Sequence, residues 1–366
     1  MRAEPPGERR QQAVADPVDA ILLREVAAAT TGGERIVVLD DKTGALVAGL
    51  APATAPGGRV QVHCDLLSDE QRVRQVTSDG TDVAAVWHDA PSAALLSGAT
   101  LVVLRLPHSL AALDELAEAV STYAHPDVRL MAGGRVKHMS HGMNRVLLRH
   151  FATVSASLGQ QKSRVLSAST PRSAHQVSYP RAQHDDELDL TVWAHGAAFA
   201  GSGVDAGTRL LASAIASIPS GVRDVVDLGC GTGVLATVLA RQHPAVSVSA
   251  IDESAAACRS ATATAAGNGC ADRVKVRRGN ALEAVAASSV DAVVCNPPFH
   301  QGAARDSDAA RRMLTQSGRV LRPGGELWTV FNSHLPYLSW LRRAVGSTHV
   351  VTQNPRFTVT RSRKPS

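Results

Sequence analysis

The sequence predicts an α/β protein of two tandem doubly wound domains, the N-terminal one a degenerate copy of the C-terminal one. Three observations predict it. Apolar strand-like runs alternate with helix-like runs through the C-terminal half, the N-terminal half repeats part of that pattern, and 366 residues is a two-domain length.

In order, the C-terminal half reads as a strand over 222 to 228 (VRDVVDL), a helix from about Gly233, a strand over 246 to 252 (VSVSAID), a helix over 254 to 266 and a strand over 273 to 279 (RVKVRRG). A strand over 290 to 296 (VDAVVCN), a helix over about 303 to 321, a strand over 326 to 332 (ELWTVFN) and a helix over 334 to 345 follow. Apolar strands separated by helices indicate a mostly parallel sheet covered on both faces. The last two strands, THVVTQ and RFTVTRS, are separated only by Asn354 and Pro355, which predicts an antiparallel hairpin at one sheet edge. Trp328, within an apolar strand, reads as core.

The N-terminal half carries traces of the same plan. Residues 37 to 51 read VVLDDKTGALVAGLA and residues 226 to 240 read VDLGCGTGVLATVLA, which pairs Thr43 with Thr232, Gly44 with Gly233, Leu46 with Leu235 and Leu50 with Leu239. In that register Asp40 and Lys42 stand in place of Gly229 and Gly231, and Val38 in place of Asp227. Further on, VVLRLPH (102 to 108) matches VVCNPPF (293 to 299) at nearly the same offset, with Arg105 in place of Asn296. Two matches at almost one offset favour duplication over chance. The copy has lost the residues that do chemistry, so substrate binding is the task expected of it. The boundaries read as 1–166 for the degenerate domain, 167–186 for a basic linker rich in Ser, Pro and Gln, and 187–366 for the catalytic domain.

Net charge +5 and a pI near 9.2 are only mildly basic, but the distribution says more. No Asp or Glu occurs from Val128 to His184, and none after Glu326, while both tracts are rich in Arg and Lys. Acid-free basic tracts point to a polyanionic partner, since neutralising phosphates releases counterions; a solvated surface is the plainer alternative. The N-terminus, MRAEPPGERRQQ, has charge without a following apolar run, and no stretch of about 18 uncharged apolar residues occurs, so a soluble, cytoplasmic protein with no membrane association is expected. The five cysteines, Cys64, Cys230, Cys258, Cys270 and Cys295, form no C-x-x-C pair and read as small buried hydrophobes. His138, His141, His150, His175 and His184 crowd the basic tract without two on one helical face beside a carboxylate, so no metal is expected.

Asp227-Leu-Gly229-Cys230-Gly231-Thr-Gly233 follows a strand and opens a helix. Glycines there allow positive φ and close approach of a ligand, and a helix N-terminus offers free N–H groups. The spacing is G-x-G-x-G, not the G-x-G-x-x-G of dinucleotide binders, and an acid precedes it by two residues. That acid suits a ligand carrying an ammonium beside its carboxylate, as the amino-acid end of methionine does, though a glycine turn alone could also serve any nucleotide or none. Asp252 ends the next strand, 25 residues after Asp227, where a carboxylate would accept both ribose hydroxyls. Asn280 and Ala281, after the third strand, would border the adenine, Asn280 either pairing with the ring edge or only forming the turn.

Asn296-Pro297-Pro298-Phe299 ends the fourth strand, facing the same crevice. An amide or guanine amino nitrogen is a poor nucleophile because its lone pair is delocalised. The Asn296 side-chain carbonyl and the Pro297 backbone carbonyl would hold the two amino hydrogens and aim the lone pair at the methyl group on sulfonium. The prolines stiffen the loop and remove N–H groups. Phe299 would stack on a planar substrate, a contact of about 1 to 3 kcal/mol, and positioning then replaces a strong general base. His300 reads either as a further substrate contact or as a surface-loop residue.

The glycine turn, Asp252 and NPPF resemble class I S-adenosylmethionine methyltransferases. FAGSGVDAGTRLL (199 to 211), NPPFHQG (296 to 302) and LRPGGELWTVFNSHLPYLSWLRRAVGS (321 to 347) resemble the ribosomal RNA guanine-N2 methyltransferases of the methyltransferase small domain type. AGGRVKHMSHGM (132 to 143) is more similar to the large-subunit enzymes. The resemblance implies two Rossmann-like methyltransferase domains with the N-terminal one degenerate, 2-methylguanosine formation on rRNA, and Asn296 to Phe299 around the guanine. Naked rRNA, a ribosomal subunit or an assembly intermediate are the partners it implies; Asp205 and Gly207 match a motif packed near the cofactor. Two other functions compete. Glutamine N5 methyltransferases also use an N-P-P loop, usually with Tyr where Phe299 stands. A non-catalytic RNA-binding assembly factor is the third, and the intact Asp227 turn, Asp252 and Asn296 argue against it.

Overall fold

The computed structural model describes residues 16–55, 57–78, 83–172, 177–298 and 304–366, the side chains of 304–309 excepted. The charged N-terminal stretch, His175, Phe299 and His300 lie outside the described residues. The chain forms two compact units, one within Met1–Cys64, Asp69–His108 and Ala119–Ala174, the other within Asp65–Ser68, Ser109–Glu118 and His175–Ser366.

Strands β1 (Ile36–Leu39), β2 (Val60–His63), β3 (Ala85–Trp87), β4 (Leu101–Arg105), β5 (Arg129–Arg135), β6 (Phe151–Ala156) and β7 (Ser163–Pro171) build the first sheet, in the order β3-β2-β1-β4-β5-β7-β6. Helices α1 (Pro17–Ala29), α2 (Ala45–Leu50), α3 (Leu67–Ser78), α4 (Ala93–Leu96), α5 (Leu110–Tyr123) and α6 (His141–His150) accompany it in sequence. An antiparallel ribbon of β8 (Arg181–Asp185) and β9 (Leu190–Ala194) follows. The second sheet is built from β10 (Asp224–Leu228), β11 (Ser247–Asp252), β12 (Val274–Arg278), β13 (Val290–Cys295), β14 (Leu321–Asn332), β15 (Ser347–Gln353) and β16 (Phe357–Arg363). Its order, β12-β11-β10-β13-β14-β16-β15, repeats that of the first sheet strand for strand. Helices α7 (Ala206–Ala214), α8 (Val234–Gln242), α9 (Ala255–Gly267), α10 (Ala304–Val320) and α11 (Tyr337–Ala344) belong to this half.

The repeated order is the physical content of the duplication read from two short matches. In each sheet the first five strands are parallel, β7 or β16 runs antiparallel beside them, and the edge strand β6 or β15 pairs antiparallel with it. The Asn354–Pro355 turn makes the expected hairpin, with β15 at the edge.

Alternation along the central strands explains why both faces are covered. Val225, Ala292, Val294 and Trp328 point into one cluster with Leu211, Leu235 and Ala261 of α7, α8 and α9. Val226, Val293, Cys295 and Leu327 point into the other, with Leu314 of α10 and Leu341 of α11. Trp328 is core, and its indole N–H donates to Glu326 at 3.1 Å, so its burial leaves no polar atom stranded. Cys64, Cys230, Cys270 and Cys295 are buried and in no disulfide, and Cys258 is half-buried. Among the described residues no helix is long and apolar enough to cross a membrane.

The linker expected over 167–186 is narrower in the structure. Residues 167 to 171 complete β7, which pairs with both β5 and β6, and 181 to 185 form β8. Ser and Thr on the outward positions of β7 disguise it, while Val165, Leu166 and Ala168 are buried as a sheet requires.

Gly233 caps α8 at φ +77°, and a Cβ there would come within 2.8 Å of the Ala261 Cα and Cβ on α9. Gly231, at φ +53°, has nothing within 4 Å of such a Cβ. Gly233→Ala is expected to destabilise the fold by about 2 to 4 kcal/mol, through the left-handed conformation and the helix contact together. Gly231→Ala meets only the conformational cost, about 1 kcal/mol. Thermal melts of the ligand-free variants check this; equal melting temperatures would contradict the assigned helix contact.

Candidate active site

In an open parallel sheet, ligands bind beyond the carboxyl ends of the strands where the strand order reverses. Here that point lies between β10 and β13, neighbours whose onward connections run to opposite sides. The Gly229–Gly233 turn leaves β10 and Asn296 leaves β13, so topology alone brings the two motifs together.

Gly229, Gly231 and Gly233 all have positive φ. The turn is tied to β11 by the Gly229 N–H donating to the Ile251 carbonyl at 2.8 Å and the Gly231 N–H donating to Asp252 Oδ2 at 3.0 Å. Asp252 Oδ1 accepts from the Ser254 N–H at 2.9 Å. One carboxylate thus fixes both the turn and the start of α9.

These elements surround a cavity of about 640 Å³. Gly229, Cys230, Gly231 and Asp252 form one part of its wall, Asn280 and Ala281 another, and Asn296, Pro297 and Pro298 a third. Ala281 holds a left-handed φ of +49°, and the Asn280 side-chain amide donates to Glu283 at 2.9 Å. Asp227 and Gly233, which belong to the same motif, are not in the wall. Gly233 packs on α9 as described, and Asp227, 0% exposed, sits behind the glycine turn.

Asp227 Oδ2 accepts from the Ala236 N–H at 2.9 Å, while Oδ1 is buried with no hydrogen-bond partner among the described residues. Burial pushes its carboxyl up to about 7, the Ala236 N–H opposes this, and the Asp252 charge adds to it. Burial likewise raises Asp252, against the N–H groups of Ser254 and Gly231.

Several wall residues carried no clear sequence signal. Arg312, Met313 and Gln316 come from α10, Phe331 and Asn332 from the end of β14, Arg356 and Phe357 from the start of the last hairpin strand. Phe199, 61% exposed, adds an aromatic face. Asp205 caps α7, accepting from the Gly207 and Thr208 N–H groups, and a Cβ at Gly207 would crowd both Asp205 Oδ1 (3.1 Å) and the Phe357 ring (3.4 Å). The Asn296 amide nitrogen donates to Thr208 Oγ1 at 2.9 Å and to Asp205 Oδ2 at 3.3 Å.

In the first unit the corresponding place is filled from within. Arg105, at the end of β4, pairs with Asp19 at 2.5 Å and Asp16 at 3.2 Å, and the Thr43 hydroxyl donates to Asp19 at 2.8 Å. A cavity of only about 70 Å³ remains there, lined in part by Lys42, Arg105 and His108.

Residues 189–361 match the methyltransferase small domain family, and residues 4–172 match the RLMG N-terminal domain family. The chain is 33% identical to the ribosomal RNA large subunit methyltransferase G of Pseudomonas syringae, over 95% of this chain and 93% of that protein. It is 34% identical to the protein of the same name from Streptomyces avermitilis, over 95% and 92%. The chain belongs to the ribosomal RNA large subunit methyltransferase G family. Similarity over nearly the full length covers both halves, so the degenerate unit is part of the methyltransferase G architecture. The fold matches that of the Thermus thermophilus 16S rRNA N2 G1207 methyltransferase, solved with AdoMet and guanosine, with a TM-score of 0.76 at 20% identity over 96% of this chain and 93% of that one.

Proposed function

We propose that the chain transfers a methyl group from S-adenosylmethionine to the N2 amino group of a guanine in large-subunit ribosomal RNA. The observation that carries the reading is Asn296 and the Pro297 loop opening into the cavity that Asp252 and the glycine turn also line. The names of the relatives support the rRNA and the subunit.

The residues present fit the cofactor. Gly231 leaves open space on the cavity side, Asp252 offers its remaining lone pairs to vicinal hydroxyls, and the orphaned Asp227 Oδ1 is a buried acceptor that an ammonium beyond the turn would compensate. S-adenosylmethionine supplies an electrophilic methyl on sulfonium. Asn296 Oδ1 and the Pro297 carbonyl accept the two amino hydrogens of the guanine, which rotates the nitrogen lone pair into line with the incoming methyl. A new N–C bond forms, the S–C electrons stay on sulfur, and the amino proton leaves to water. Positioning supplies the rate, and Phe299 is assigned to stacking on the base. The first unit binds RNA, its Lys137, Arg145, Lys162, Arg164 and Arg172 being exposed in a tract without acids.

A pH dependence follows from Asp227. Its raised carboxyl means the ligand-free fold holds a proton that the unfolded chain releases, so this group lowers stability as pH rises from about 4 to about 7. The cofactor ammonium favours the ionised form, so affinity should rise with pH, by up to about tenfold per unit, and level off above about 7. Calorimetric titration from pH 5.5 to 8.5 checks it; Asp227→Asn should flatten the profile, and a flat wild-type profile would refute the assignment.

The reading is tested by incubating the protein with labelled S-adenosylmethionine and unmodified ribosomes or rRNA, then separating RNA from protein. Label in RNA supports it. Label in protein alone would favour glutamine methylation, and none in either would favour a binding protein.

A further inference from the structure

The nitrogen and oxygen ends of an asparagine amide are told apart by their hydrogen-bond partners. For Asn296 the choice decides the chemistry, because only the carbonyl end can accept a hydrogen from an amino group. The neighbours of Asn296 settle it by proton count. Asp205 is a carboxylate and can only accept; its Oδ1 takes the Gly207 and Thr208 N–H groups, and its Oδ2 takes the Thr208 hydroxyl hydrogen. A hydroxyl has one hydrogen, so Thr208 Oγ1 can face Asn296 only as an acceptor. Both groups on this side, Thr208 Oγ1 and Asp205 Oδ2, therefore require donors, and the amide must turn its NH₂ toward them. That leaves Oδ1 on the other end of the planar amide.

We infer that Asp205 and Thr208 are positioning residues that lock the Asn296 amide with its carbonyl toward the substrate, making the site an acceptor for an amino group. This rests on the proposed role of Asn296. The device explains the local sequence: Asp205 reaches both partners because it caps α7, Thr208 lies one turn further on, and Gly207 between them keeps a Cβ from pressing on the carboxylate. Neither residue is adjacent to Asn296 in sequence, being 91 and 88 positions away.

Thr208→Val keeps the shape and removes the relay, Thr208→Ser keeps the hydroxyl, and Asp205→Asn keeps an N-cap acceptor but lets the proton order reverse. The measurement is kcat and KM on rRNA, with S-adenosylmethionine affinity and melting temperature for each variant. Thr208→Val and Asp205→Asn should lose about 10- to 100-fold in kcat with KM and cofactor affinity near wild type, while Thr208→Ser retains most activity. In an Asn296→Ala background Thr208→Val should cost nothing further, since it acts through that amide. Wild-type kcat in Thr208→Val, or the same loss repeated in the Asn296→Ala background, would overturn the inference. If Thr208→Val fails to fold, Asp205→Asn decides: full activity overturns it, loss of kcat alone supports it. Full activity of Asn296→Ala would instead sink the underlying role of Asn296, whatever Thr208 does.

Discussion

Asn296→Ala should lose about 10²- to 10³-fold in kcat, the loss seen when one preorganised hydrogen-bonding group at a developing charge is removed. Affinity for S-adenosylmethionine should barely change. The side chain follows β13 and is bonded to Asp205 and Thr208 at the start of α7, whereas Asp252 is bonded to the glycine turn. Isothermal titration separates the two quantities from steady-state rates. A variant that no longer bound the cofactor would show that Asn296 belongs to the cofactor wall, and the division of roles would have to be redrawn.

The second large effect is expected on binding. Asp252→Ala should weaken S-adenosylmethionine by about 10²-fold, from two charge-assisted hydrogen bonds at about 1.5 kcal/mol each. The same truncation strands the Gly231 and Ser254 N–H groups that the carboxylate holds, so the glycine turn loosens as well. At saturating cofactor the kcat should recover toward wild type, which distinguishes this variant from Asn296→Ala. A kcat that stayed low with cofactor bound would place Asp252 in the chemistry itself.

The parallel strands were legible because a strand buried on both faces must be apolar throughout, and Val225, Val226, Ala292, Val293, Val294 and Cys295 are. Residues 167 to 171 were misread because β7 lies on the antiparallel side of its sheet, where Ser and Thr can occupy half the positions without cost. The cavity wall was readable for a similar reason: Gly229 to Gly231, Asp252, Asn280, Ala281 and Asn296 to Pro298 each belong to a short contiguous stretch after or at the end of a strand. Asp227 was placed too far forward. A spacing of two residues from Gly229 cannot tell a side chain that faces the ligand from one that supports the turn beneath it, and the structure has it buried, holding the Ala236 N–H. The role of Thr208 was invisible, since its partner is 88 residues away and a side-chain hydrogen bond formed only in the fold joins them.

The most direct test of the central claim is nucleoside mass spectrometry of rRNA methylated by this protein with isotopically labelled S-adenosylmethionine, with Asn296→Ala as control. The proposed function predicts labelled 2-methylguanosine at a defined position in large-subunit rRNA, nearly absent with the variant. Label on a ring nitrogen, a ring carbon or a ribose hydroxyl would contradict an amino-group acceptor site at Asn296, and label on the amino group of adenine or cytosine would keep that site but overturn the guanine reading.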